Sequence, residues 1–240
     1  MSFASSRMSL LDIQNYLAEQ MKGLHIISDL SLSEDDYRYL ATKVKMLFKF
    51  SNDNNVVDDY KLSIIVYWVF SMIYWDKENL GELEMDALFE GLPQYKKKYY
   101  MDVCMETFDE YGIYNYQVNY SDISLYARAL VARHAGIPLE EQDKTFDVIS
   151  KHLECNLVAE MVEAIMMELP ERTQTIFCCF DDKTKQKVIL DLRNLMIVCM
   201  KGKASKEELV KQYPYISCNV IQGMRQWCNR QNEFISLELS

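Results

Sequence analysis

The stretch Leu62–Trp75 (LSIIVYWVFSMIYW) constrains this chain more than any other feature. It is uncharged over its whole length and bounded by Lys61 and Asp76. At helical spacing it is apolar on every face, so it must be surrounded by other elements rather than lie on a surface. A membrane span needs roughly 20 apolar residues, and this stretch is shorter. It therefore reads as a central buried helix. The helices that cover it have to come from the rest of the 240 residues.

Turn residues are too scarce for an all-β solution. Only 7 Gly and 4 Pro occur in the chain, whereas a sandwich or barrel needs a turn every 8 to 12 residues or so. Apolar residues recur at three- and four-residue spacing in many segments, and long alternation is absent. Leu10, Ile13, Leu17 and Met21 mark a helix over Ser9–Gly23. Ser33, followed by Glu34, Asp35 and Asp36, caps a second helix that runs to Phe50, with Tyr37, Leu40, Val44, Leu47 and Phe48 inward. SNDNN (Ser51–Asn55) is turn chemistry. Further helices are expected over Gly81–Gly91, Gln94–Tyr111, Asp122–Ala135, Glu140–Leu153, Leu157–Leu169, Glu171–Phe180, Lys183–Lys201, Ser205–Gln212 and Ser217–Asn229. In the long one, Val188, Leu192, Leu195, Ile197 and Val198 supply the apolar side. Gly136 sits where a helix C-terminus wants a left-handed residue, with Pro138 beyond it. Ile113–Tyr120 reads as a short strand or an aromatic loop, and the tail Glu233–Leu239 as a strand. The expected fold is all-α: an irregular multi-helix bundle or solenoid. No fixed repeat period is visible.

Charge divides the chain unevenly. Residues 1–182 hold 16 Lys+Arg against 31 Asp+Glu, and residues 183–230 hold 10 against 3. The expected organisation is an acidic helical domain, 1–182, and a basic segment, 183–240, unless the two pack as one unit. A basic segment attracts phosphates or acidic protein faces, including acidic surfaces of its own chain or of a neighbour.

Within that segment, Lys203–Glu233 reads KASKEELVKQYPYISCNVIQGMRQWCNRQNE. It resembles helix-turn-helix and winged-helix units. The resemblance implies a Ser205-capped helix with Leu209 and Tyr213 inward, a turn over Tyr213–Ile216, and a Ser217-capped second helix. That second helix would pack Val220, Ile221, Met224 and Trp227 inward, with Glu233–Leu239 as a wing strand. It also implies an outward set, Gln222, Arg225, Gln226, Asn229 and Arg230, supported by Lys201, Lys203, Lys206 and Lys211 for phosphates or an acidic partner. Departures from the family pattern are Pro214 in the turn, where a Gly is common, and only two Arg on the second helix.

Catalytic and metal signatures are few. The histidines, His25, His134 and His152, show no H-E-x-x-H or H-x-H spacing. His134 stands near a helix C-terminus, where a cationic ring meets the dipole favourably. Glu160, Glu163 and Glu168 read as a solvated acidic face, since no E-x-x-H accompanies them. Lys96–Lys98 reads likewise as a solvated basic face. The seven cysteines, an odd number without a C-x-x-C, read as reduced core residues of a cytoplasmic protein. Met1–Leu11 has no apolar run of signal-peptide length. No catalytic residue, cofactor or metal is expected. The sequence points to a non-catalytic binding or adaptor protein whose helical body engages a protein partner, with a basic winged-helix-like C-terminal end. The alternatives are a nucleic-acid-binding regulator acting through residues 183–230, and an acidic inhibitor or immunity-type protein for a basic partner.

Overall fold

The computed structural model describes residues 2–50, 59–74, 106–114, 123–154, 158–202 and 204–238, with the side chains of 123–128 and 233–238 left aside. The expectations for SNDNN, the helix Gly81–Gly91, most of Gln94–Tyr111, Lys96–Lys98 and residues 115–120 lie outside these residues. Every regular element among the described residues is helical. The chain divides into two compact units, Met1–Ala135 and Gly136–Ser240. The change of charge sign at residue 183 falls inside the second unit, at the start of the helix Asp182–Met200.

The first unit is built around the all-apolar stretch. α1 (Leu10–Gln20), α2 (Glu34–Phe50) and α4 (Ile123–Ala135) pack on α3 (Lys61–Ile73), and every residue of α3 from Leu62 to Ile73 is buried. Such a helix must satisfy its own ends and its few polar atoms without water. Tyr60 at its N-terminus offers no side-chain cap. Gln14 of α1 supplies one instead: its Oε1 accepts hydrogen bonds from the Ser63 backbone N–H and the Ser63 hydroxyl, both at 2.8 Å. Further along, Ser71 Oγ donates to the Tyr67 carbonyl at 2.7 Å and accepts from the Tyr37 hydroxyl at 3.1 Å. The Tyr37 ring stacks on Tyr67 and Tyr74.

Ser33 caps α2 as expected, with its Oγ accepting from the Asp36 N–H at 3.2 Å. Asp36 is itself buried and accepts the Phe3 N–H at 2.6 Å, which fixes the buried Phe3 ring edge-on to Tyr16.

His134 departs from expectation. It is fully buried against Phe108, and burial pushes its pKa down to about 3, against a hydrogen bond to the Tyr114 backbone that works the other way. The ring is neutral near pH 7, so it serves packing and hydrogen bonding rather than a charge at the helix end. Gly136 takes the left-handed conformation, φ +66°, just past α4.

The second unit contains α5 (Gln142–Lys151), entered through a 3₁₀ turn Leu139–Glu141, then α6 (Ala159–Glu168), α7 (Glu171–Phe177), α8 (Asp182–Met200), α9 (Lys206–Gln212) and α10 (Cys218–Glu238). α8 lies against α5, α6 and α10, and α10 also packs on α5 and α9. The core between them holds Phe146, Ile149, Ile189, Leu195, Met196, Ile221 and Met224. Gly223 of α10 packs against the Gln142 side chain of α5: a Cβ built there would lie 2.0 Å from Gln142 Oε1. Glu141 closes the start of α7, its carboxylate accepting the Thr173 N–H and hydroxyl at 2.8 Å and the Arg172 N–H at 3.2 Å.

The tail is a correction. Residues expected as a strand or wing continue α10 as helix to Glu238. Once α10 is nucleated, each added residue closes one more hydrogen bond, and no Gly or Pro interrupts it after Gly223. A strand there would need a paired edge, and none exists among the described residues.

Candidate interface at the basic C-terminal end

Local structure in the C-terminal segment follows directly from its residues. Ser205 and Glu208 form a reciprocal capping box: Ser205 Oγ accepts the Glu208 N–H at 3.1 Å, and Glu208 Oε2 accepts the Ser205 N–H at 2.8 Å. Leu209 and Tyr213 turn inward and are buried. The chain reverses over Tyr213–Ile216, with the Ile216 N–H donating to the Tyr213 carbonyl at 3.0 Å. Ser217 then caps α10, accepting the Val220 N–H at 3.1 Å. Val220, Ile221, Met224 and Trp227 are all buried. Two capped helices joined by a tight turn are therefore present, without a strand following them.

The outward set is distributed over two places. At the α9–α10 junction, Lys206 Nζ donates to Gln222 Oε1 at 3.1 Å. Glu207 lies in the same junction; its carboxyl is held below its usual range by its own backbone N–H, then by the Ser205 hydroxyl, with Arg225 and Lys206 adding charge attraction. Arg225 is only half-exposed, whereas Lys201, Lys211, Gln222, Gln226 and Asn229 are exposed. Lys203 lies outside the described residues.

Further along α10, Arg230 is engaged elsewhere. Its guanidinium pairs with Asp143 of α5 at 2.7 Å, and one turn earlier the Trp227 indole N–H donates to Asp147 Oδ1 at 2.9 Å. Two acids spaced i, i+4 on α5 thus hold two residues spaced i, i+3 on α10. The positive end of the segment is in part neutralised within its own unit.

Sequence reading missed the outer face of α8. Its inward residues, Ile189, Leu192, Leu195, Met196 and Cys199, occupy one side. The opposite side presents Lys183, Lys187, Leu190, Asn194, Ile197 and Lys201, which alternate four- and three-residue steps and so fall in one row. Leu190 is 43% exposed, although it is a large apolar side chain. Ile197 and Val198, read from sequence as core, are only partly buried. A second apolar set out of phase with the first was the signal that marked this face. Lys187 is held in place by the Tyr215 ring, 5.1 Å below its ammonium, and by Asp191 at 3.7 Å.

Other chemistry-bearing groups in the unit are committed to structure. The Cys228 thiol of α10 donates to the Met196 carbonyl of α8 at 4.0 Å, and the nearness of Cys228 together with burial drives the Cys199 thiol up, so it stays protonated. Glu163 and Glu168 are exposed and face Lys185 at 3.9 Å and His152 at 3.3 Å. No group of His, Cys, Asp and Glu among the described residues has the arrangement of a metal site. No described helix is long and apolar enough to cross a membrane.

No protein-family model, curated protein or solved structure matches this chain. The class that the fold defines is an all-α multi-helix protein.

Proposed function

We propose that the chain is a non-catalytic binding protein of adaptor type, whose second unit engages an acidic protein surface through its basic C-terminal end. The observation that carries this reading is the pairing of Arg230 with Asp143, beside Trp227 on Asp147. A helix that reads nucleic acid needs its outward cations free for phosphates and base edges. Here one of the two Arg on α10 faces a carboxylate of its own unit, with which a phosphate would have to compete, and the exposed positions Gln222, Gln226 and Asn229 are neutral. What remains is a polar surface with scattered lysines, suited to a rim of charge complementarity.

The test is binding of the full chain to two labelled polyanions, poly-glutamate and mixed-sequence duplex DNA or RNA, at ~50 mM and ~200 mM salt. A Lys206/Lys211/Arg225→Glu triple variant runs beside the wild type. The reading expects poly-glutamate binding that the triple variant loses, with nucleic acid bound no more tightly. Nucleic acid held about tenfold more tightly than poly-glutamate, with a steep salt dependence, would replace this reading with the regulator.

A further inference from the structure

We infer that the outer row of α8, Lys183–Lys187–Leu190–Asn194–Ile197–Lys201, is a helix-docking seam for an acidic amphipathic helix of a partner protein. The inference rests on the binding reading above and names the occupant. The row runs about 27 Å along the helix at 1.5 Å per residue. Its four- and three-residue steps are those at which a second helix lays its side chains into the spaces of the first. Leu190 and Ile197 are the apolar residues of the row, with Asn194 between them. In paired helices a single Asn within an apolar seam fixes register. Lysines stand at both ends.

Charge and apolarity together select the occupant. A second α8 from another copy would set lysine against lysine in either orientation, which is repulsive. A nucleic-acid strand would gain from the lysines but would cover Leu190 and Ile197 with phosphate, for no apolar gain. An acidic helix with an apolar stripe satisfies both: its Leu or Ile residues cover Leu190 and Ile197, and its Glu or Asp residues face Lys183, Lys187 and Lys201. Lys187, already held over Tyr215 and shared with Asp191 at 3.7 Å, loses little side-chain freedom on binding. The charge balance of the segment, 10 basic against 3 acidic residues over 183–230, extends the same preference beyond the row.

The probe is a synthetic helix of three Glu-rich heptads with Ile and Leu in its seam, measured against poly-glutamate by fluorescence anisotropy on the full chain. Leu190→Glu and the Lys183→Glu/Lys201→Glu pair serve as variants, each checked for retained helix content by circular dichroism. All three positions are exposed, so the core is left intact. The expected result is an amphipathic peptide bound at least about tenfold more tightly than poly-glutamate. Leu190→Glu should abolish that advantage, and the lysine pair should weaken both ligands. Equal binding of the two peptides, unaffected by Leu190→Glu, would overturn the seam while leaving the acidic-partner reading in place. No binding of either peptide would overturn both.

Discussion

Asp143 and Arg230 meet at 2.7 Å across the contact of α5 with α10, and both side chains remain largely in solvent. One turn away, Trp227 and Asp147 make a hydrogen bond from a buried ring. The two neighbours differ in what they contribute. An exposed ion pair is worth about 0–1 kcal/mol, whereas a buried indole N–H left without its acceptor costs about 1–3 kcal/mol. Asp147→Ala should therefore destabilise the second unit by roughly 1–3 kcal/mol, and Arg230→Ala by less than about 1 kcal/mol. Urea unfolding of the two variants against wild type checks the order.

Gly223 lets α10 pack against Gln142, and Gly223→Ala should cost about 1 kcal/mol net, the displacement of the buried Gln142 amide being partly offset by the better helix propensity of Ala. The obstructing atom is the end of one side chain. Gln142→Ala should thus restore much of the loss in the double variant. A double-mutant cycle reads this as a strongly non-additive pair, and additive costs would contradict the close approach.

In the first unit, Gln14 replaces the missing N-terminal cap of α3. Gln14→Leu removes the acceptor for the Ser63 N–H and hydroxyl and leaves both buried without it. The expected loss is about 1–3 kcal/mol, and somewhat less in a Gln14→Leu/Ser63→Ala double variant, which deletes one of the stranded groups. Chemical denaturation of both proteins measures the difference.

His134 gives the first unit a pH dependence of known sign. Its folded pKa, about 3, lies below the ordinary 6.5, so the unfolded chain binds more protons between those values. The stabilising contribution is complete above about pH 6.5 and is lost as pH falls towards 3. Across the window the linkage amounts to roughly 5 kcal/mol at 1.36 kcal/mol per unit. Stability measured from pH 7 to pH 4 should fall more steeply in the wild type than in His134→Gln, whatever the absolute stability of the variant. Parallel curves would show that His134 titrates normally.

The helical architecture was legible where one residue pattern had one solution. Leu62–Ile73 had no polar face to expose, so burial on all sides followed. The caps at Ser33, Ser205 and Ser217 were visible because a hydroxyl before a helix has a defined use. The inward positions of the last two helices were implied by the helix-turn-helix resemblance, and those residues are buried. The tail misled because EFISL is short and apolar, and periodicity does not separate strand from helix over so few residues. The site was less legible. That Asp143 and Asp147 hold Arg230 and Trp227 depends on two helices about 80 residues apart in sequence. The outer face of α8 stayed hidden because Leu190, Ile197 and Val198 are apolar, and an apolar residue on a long amphipathic helix is ordinarily assigned to the core. The neutral His134 was hidden because its burial comes from Phe108 and neighbours distant in sequence.

The most direct measurement is competition. The full chain is loaded with the labelled Glu-rich heptad peptide and titrated with unlabelled duplex DNA at ~150 mM salt. A protein-docking surface predicts that DNA leaves the peptide bound, while unlabelled peptide displaces it fully. Displacement by DNA at concentrations comparable to the unlabelled peptide would contradict the account and make the basic end a nucleic-acid surface.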